Sequence, residues 1–510
     1  MSSNWQLGTK FATKQRALRE CPASRISVAA NDKTSNNQNG PVTGLAGRSF
    51  TAPSSLEEQT STLTTNAESA EGDASVVQAV GAKQQPAEDE AALSRTRPGL
   101  PLPPVLCSRG NGVDPFSSTA TPIDHTTHNL IQHYIRVLVP STFRVEAHAY
   151  RSTTTRHAAS TFEVVRRSMS NEMHMAALLA VSASRVKHVV KKDLGKNSAE
   201  AFMYNAVRAL RKHLRSESVV IDQATILDIF WLFQAESYSR RYDASMVHLR
   251  IVKQLVEGIG GLRMLDRYMM ESIMIGDILV SIETFVPPIF PFICDPGGLE
   301  PSQISALSVK MDSQLRCLGQ GFIQEHLCLE LRLVISDLVH CMQMAQWLWS
   351  QSKPDPNDVK WTTLRSYSLL HRLLSVSLST QSDLRLHGKE ECCRVALIMW
   401  LGQVTTSTGV ATRSGNMNAG RLKDRLLEYG MLDPGSCADT RLLAWMLVVG
   451  AFATANTDTE AWFLVALRKI LAELHIKGND RFRNMLEEYF YLDGMQSKSL
   501  QRIGKELLGD

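Results

Sequence analysis

A few groupings in this chain have the residue types that chemistry needs. His125, His128 and His133 cluster at a helix entry, and His125 and His128, three apart on one face, could with Asp124 begin a transition-metal site. Such a site needs a fourth ligand, and the segment offers none, so polar helix-cap roles suit these residues better. Asp277 and Glu283 interrupt an otherwise apolar stretch, which would suit general acid–base catalysis only if both reached one substrate. Six residues apart on a helix, they point to different faces. Cys392 and Cys393 are adjacent, so on a helix they diverge by about 100° and read as core thiols rather than a chelating pair. Gly258-Ile259-Gly260-Gly261 has the glycines of a phosphate cradle, but a cradle follows a strand, and here a helical pattern precedes it. No Gly-x-Ser-x-Gly elbow occurs. These patterns predict no catalytic residue, no cofactor and no metal site. They assign structural roles instead: Asp222 caps a helix, Gly260 and Gly261 end one in the left-handed conformation and turn into the next, and a buried Asp277 bonds a neighbouring helix end or an arginine.

The elements that must carry these residues are helical throughout. Asn129–Leu138, Phe162–Arg167, Met173–Val190 and Ser198–Leu214 show apolar residues at helical spacing. Asp222 opens a helix bearing Ile226, Ile229, Phe230 and Phe233; Ala244, Val247, Ile251, Val252, Leu255 and Ile259 stripe the next; Leu262 begins a third that is almost wholly apolar. Pro287, Pro288 and Pro291 then impose extended backbone, and Asp295-Pro296-Gly297-Gly298 a turn. Helical patterns resume over Ile323–Trp349, Thr363–Thr380, Lys389–Gln403, Ala419–Glu428, Thr440–Ala455, Glu460–His475 and Asp480–Phe490, with loops at Lys353–Asp358 and Thr405–Asn418. No run of short alternating strands interrupts them. The fold class is all-α, a multi-helix bundle or array.

Composition sets the organisation. The chain has 510 residues, 44% of them apolar, enough for a large core. Residues 1–112 are polar and nearly free of aromatics, and so predict a disordered arm, basic over 10–25 and acidic over 57–90. The acidic tract lacks interleaved bulky apolar residues and reads as a solvating linker rather than an activation segment. The helical domain spans 113–494, and 495–510 form a tail or short helix. A net charge of +4 excludes a polycation that coats nucleic acid, and nine scattered cysteines read as reduced thiols. Met1–Lys10 lack the apolar core of a secretory signal, and Leu442–Ala455 is shorter than the roughly 20 residues that span a bilayer, so no membrane segment is expected. The basic runs Arg185–Lys192 and Arg208–Arg215 read as solvated helix ends; the N-terminal basic arm is the more accessible candidate for nuclear import.

The order of several motifs resembles a known family. Asp222, Glu236, Ala244 and His248, the run Leu255-Val256-Glu257-Gly258-Ile259-Gly260-Gly261-Leu262, and Asp277 look like the fungal-specific transcription factor domain, the middle homology region of fungal zinc-cluster regulators. Asp114-Pro115-Phe116 with Pro122, Glu391–Leu397, and Leu442–Ala455 followed by Glu460-Ala461-Trp462-Phe463 extend the resemblance over about 113–494. The resemblance implies a nuclear transcription-regulatory protein whose partners are other regulatory proteins or a small-molecule effector. The zinc binuclear cluster of that family needs six cysteines with Cys-x-x-Cys spacing, and this sequence contains no Cys-x-x-Cys pair. Direct zinc-dependent DNA binding is therefore not expected; the alternative function is a non-nuclear helical scaffold or small-molecule-binding protein.

Overall fold

A computed structural model describes residues 119–150, 155–194, 198–215, 221–309, 316–376, 384–406, 414–433, 440–455 and 457–509. The polar arm expected over 1–112 lies outside the described residues. Within them every regular element is helical and no strand occurs.

The first half opens with α1 (His125–His133), a π-helical turn (Tyr134–Leu138), and the short α2 (Val139–Thr142) and α3 (Arg144–Ala149). Helices α4 (Ala158–Met169), α5 (Glu172–Arg185) and α6 (Ala199–Leu214) follow, then α7 (Gln223–Tyr238), α8 (Tyr242–Gly258) and α9 (Arg267–Thr284). Local chemistry explains the starts. Asn171 accepts from Met173 N and His174 N at 2.9 and 3.2 Å, Ser198 from Ala201 N at 3.2 Å, and Asp222 from Thr225 N at 2.8 Å, each satisfying amides that a helix leaves unpaired. Helix α7 is buried from Thr225 to Ser237 all round, so it is an interior helix; α5 and α8 pack against it.

The second half comprises α10 (Pro301–Val309), α11 (Leu329–Ser350), α12 (Pro356–Ser375), α13 (Leu384–Thr406), α14 (Ser414–Glu428), α15 (Thr440–Ala453), α16 (Asp458–Glu473), α17 (Asn479–Glu487) and α18 (Asp493–Leu508). Its centre is aromatic: Phe322 lies edge-on to Trp445 and Tyr489, Trp400 packs 4.9 Å from Phe490, and Trp445 Nε1 donates to Phe490 O at 3.1 Å. Helix α9 joins the halves, touching α2 and α7 on one side and α12, α13 and α14 on the other, and one apolar core runs through both.

Several boundaries differ from the sequence reading for identifiable reasons. The apolar run from Leu262 is not yet helix α9: Leu262–Met264 make one 3-10 turn, Leu265 is extended at ψ 153°, and Asp266 caps α9 by accepting from Met269 N at 2.9 Å. The run Lys353–Asp358, expected to be a loop, already contains the start of α12, because Asp355 is its cap and Pro356 occupies the first helical position, where a missing N–H costs nothing. The helix expected over Met173–Val190 is α-helical only to Arg185; a π-helical turn (Val186–Val190) follows and Lys191 at φ 64° ends it. Helices α2, α3 and α10 are additional. The tail is helix α18, whose Ile503 is fully buried and whose Arg502 pairs with Glu460 on α16.

Close approach of α7 and α9 depends on Gly276, where a Cβ would lie 2.6 Å from Phe230 Cζ. Phe230 cannot swing away, being buried against Phe233 at 5.4 Å between ring centres. Gly276→Ala should destabilise the fold by about 1–3 kcal/mol through overpacking, read as a lowered urea midpoint; an unchanged midpoint would show that the two helices are loosely seated.

Candidate functional site

The residues with reactive side chains are largely committed to one another. Asp124 accepts from Thr127 N at 2.7 Å as the cap of α1, and His125 Nδ1 lies 3.1 Å from Asn129 Nδ2 on an exposed face. Cys392 and Cys393 are fully buried free thiols, and burial pushes both thiols up, Cys392 to about 12. Asp277 and Glu283 serve different partners on α9, backbone amides and the Tyr242 hydroxyl respectively. Among the described residues no three His, Cys, Asp or Glu side chains converge as metal ligands would.

The densest polar cluster is centred on Glu271 of α9, which is fully buried. It accepts from His157 Nε2 at 2.9 Å, from Arg267 Nε at 2.8 Å and from Arg156 Nη2. Arg156 also reaches buried Glu146 on α3 through its Nη1 and, at 3.2 Å, its backbone N. Burial raises Glu271, but His157, Arg156 and Arg267 outweigh it and hold the carboxyl at about 2. For Glu146 burial wins over Arg156, and its carboxyl is raised. Phe143, Tyr268 and Tyr134 roof the cluster, with the Tyr134 and Tyr268 hydroxyls 2.9 Å apart. Two carboxylates closed off by cations cannot reach a substrate; they lock α3, the 155–157 turn and α9 together.

A second pair joins α5 to α7. His174 Nδ1 lies 2.5 Å from Asp228 Oδ2, and burial lifts Asp228 to about 6 against the histidine's pull. A third group holds the backbone after α9: Arg365 of α12, nearly buried, donates to Asp295 Oδ1 and Oδ2 at 2.8 and 2.9 Å and pairs with Asp337 at 2.8 Å.

The residues assigned by sequence sit as follows. Asp222 Oδ1 takes both the amide and the hydroxyl of Thr225 at 2.8 Å. Gly260 and Gly261 have φ 102° and 104°; at ψ 177° Gly261 lies in the mirror-extended region open to glycine, not in the left-handed helical region expected for it. Gly261 N returns to Val256 O at 2.8 Å and Gly260 N to Glu257 O at 3.1 Å, a Schellman closure in which only Gly260 needs the left-handed turn and Gly261 already leads out of it. Asp277 binds neither a helix end nor an arginine: it accepts from Phe290 N at 2.8 Å and from Ile289 N, gripping the proline-stiffened stretch. The prolines hold this stretch out of helical conformation, where its amides cannot reach i−4 carbonyls, and the buried carboxylate supplies the acceptor instead. Burial raises Asp277 to about 7.

Neither Glu271 nor Asp228 is among the residues assigned from sequence, and Arg185 is there only as the start of a basic run. A charged residue inside an all-round apolar helix was the available signal for Glu271 and Asp228. Arg185 was grouped with a solvated basic run, but at 2% exposure it faces inward, whereas its neighbour Lys187 is at the surface with Glu200 at 2.5 Å.

Residues 129–295 match the model of the fungal specific transcription factor domain, a family of regulatory rather than enzymatic proteins. The matched segment runs from α1 to the Asp295 anchor and contains the Glu271 cluster, the His174–Asp228 pair and all four assigned residues; the later motifs at 391–397 and 442–463 lie beyond it. No curated protein and no solved structure matches the chain.

Asp277→Ala leaves the buried Phe290 amide without its acceptor and should cost on the order of 1–3 kcal/mol, read by chemical denaturation. Because the folded state holds the Asp277 proton from the ordinary 3.8 up to about 7, this group's contribution to stability falls as pH rises through that window. Asp277→Asn abolishes that contribution, so its midpoint should gain on the wild type between those pH values; parallel curves would contradict the assignment.

Proposed function

We propose that this protein is a fungal transcriptional regulator that works through its helical domain rather than through a zinc-cluster DNA reader of its own. The observation that carries this reading is the coincidence of the family match over 129–295 with a block of helices in which the buried carboxylates Glu146, Asp228, Glu236 and Glu271 are each paired with a basic side chain. Such a block presents surfaces and packing, not reactive groups. Its partners are other transcription-regulatory proteins or a small effector, and its site of action is the nucleus.

The working part is the segment from α5 to α9. Helices α5 and α7 meet at His174–Asp228, α8 turns into α9 through Gly260 and Gly261, and α9 reaches the second half through its packing and through Asp277. A ligand or partner that prefers one packing of these helices shifts the whole domain toward it, by no more than its difference in affinity for the two states. Asp222, Gly260, Gly261 and Asp277 set the geometry that is shifted.

The test is a full-length chain carrying a heterologous DNA-binding module and a fluorescent tag. Nuclear fluorescence and a changed reporter output are expected. Gly261→Val, strained at φ 104°, should abolish the reporter change while leaving nuclear import intact. A wild-type protein confined to the cytoplasm and without effect on the reporter would favour a helical scaffold outside the nucleus.

A further inference from the structure

Of the two arginines buried below a tenth of their surface among the described residues, Arg365 is held by two carboxylates, but Arg185 has no carboxylate against it. Its one hydrogen-bonding partner there is His133 Nε2, at a long 3.5 Å. Burial and Arg185 itself press His133 down to about 4, so the ring is neutral near pH 7; accepting at Nε2 places its proton on Nδ1. A buried guanidinium facing a neutral ring is an uncompensated charge, which is costly unless something anionic meets it.

Other buried polar side-chain atoms on α1 and α5 also lack partners. Ser182, one helical turn before Arg185 and on the same face of α5, is fully buried with an unpaired Oγ. Gln132, beside His133 in α1, has both side-chain polar atoms buried and unpaired. His133 and Arg185 each directly precede a π-helical turn, Tyr134–Leu138 and Val186–Val190, and no other π-helical segment occurs among the described residues. Such turns recur at functional sites because they widen the helix and shift its register. The flanking Ile131, Tyr134, Leu178 and Val181 are fully buried and apolar or aromatic. Lys187–Val189 and His133 are part-exposed and mark the side open to solvent.

The geometry points to a binding site for a small organic monocarboxylate between α1 and α5, with the Arg185 fork on the carboxylate, the Ser182 hydroxyl as a further donor, and an apolar body against the surrounding side chains. The planar fork matches a carboxylate bidentately. One cation in a dry setting balances one negative charge, which disfavours phosphate at close to two. The site gives the effector-controlled form of the regulatory reading its ligand class and to that extent rests on it, but binding to purified protein is measured without any reporter, so either can fail alone.

The experiment titrates the purified full-length chain with hexanoate, benzoate, hexanamide and inorganic phosphate, by calorimetry and thermal unfolding. A carboxylate should bind saturably and raise the unfolding midpoint; the neutral amide and phosphate should not. Arg185→Met should raise the midpoint of the ligand-free protein by removing the unpaired charge, and weaken carboxylate binding about tenfold or more. Ser182→Ala, which removes only an unpaired hydroxyl, should weaken binding without lowering the midpoint. Absence of carboxylate binding in the wild type, preference for phosphate, equal binding by the amide, or binding undiminished in both variants would overturn the assignment.

Discussion

The structure depends on carboxylates buried along α9. Glu271 is out of water and would be costly there alone, yet Arg156 and His157 from the turn before α4 and Arg267 from the first turn of α9 converge on it and keep it ionised. Thirteen residues before Phe290, Asp277 does the opposite work: it sits in apolar surroundings and spends its oxygen on backbone amides of the stretch that leaves the helix. One helix therefore fixes both the chain before it and the chain after it. Its apolar faces then bury against both halves of the fold.

This arrangement commits many of the buried ionisable groups to structural pairs. Catalytic groups keep a proton-transfer position open toward a substrate, whereas Glu146, Glu271, Asp295 and Asp337 are each occupied by arginine. Such pairs specify which helices meet rather than what reacts. The same logic makes Arg185 conspicuous, since it has the burial of a structural arginine without the partner.

Much of the helical framework was legible in the chain. The stripe of α8, the cap residues Ser198 and Asp222, and the glycine stop after α8 all act within a turn or two of their own position, so spacing alone reveals them. The reading faltered where one residue type serves two local purposes. Asp355-Pro356 suits a loop and a helix start equally, and the leucine after Gly261 suits a 3-10 turn as well as a helix. Which one forms depends on where the following cap falls, and for α9 that cap is Asp266.

The sequence by itself determined the helical class, most element positions and the absence of any Cys-x-x-Cys pair, because periodicity, capping and ligand spacing are properties of neighbouring residues. Only the tertiary structure decided the pairings. His157 and Glu271 are 114 residues apart, His133 and Arg185 are 52 apart, and Asp277 finds its amides across a turn that no pattern encodes. Whether a charge faces water, a countercharge or neither depends on how helices are arranged in space, and that arrangement is the sum of all their packing contacts rather than a feature of any one segment.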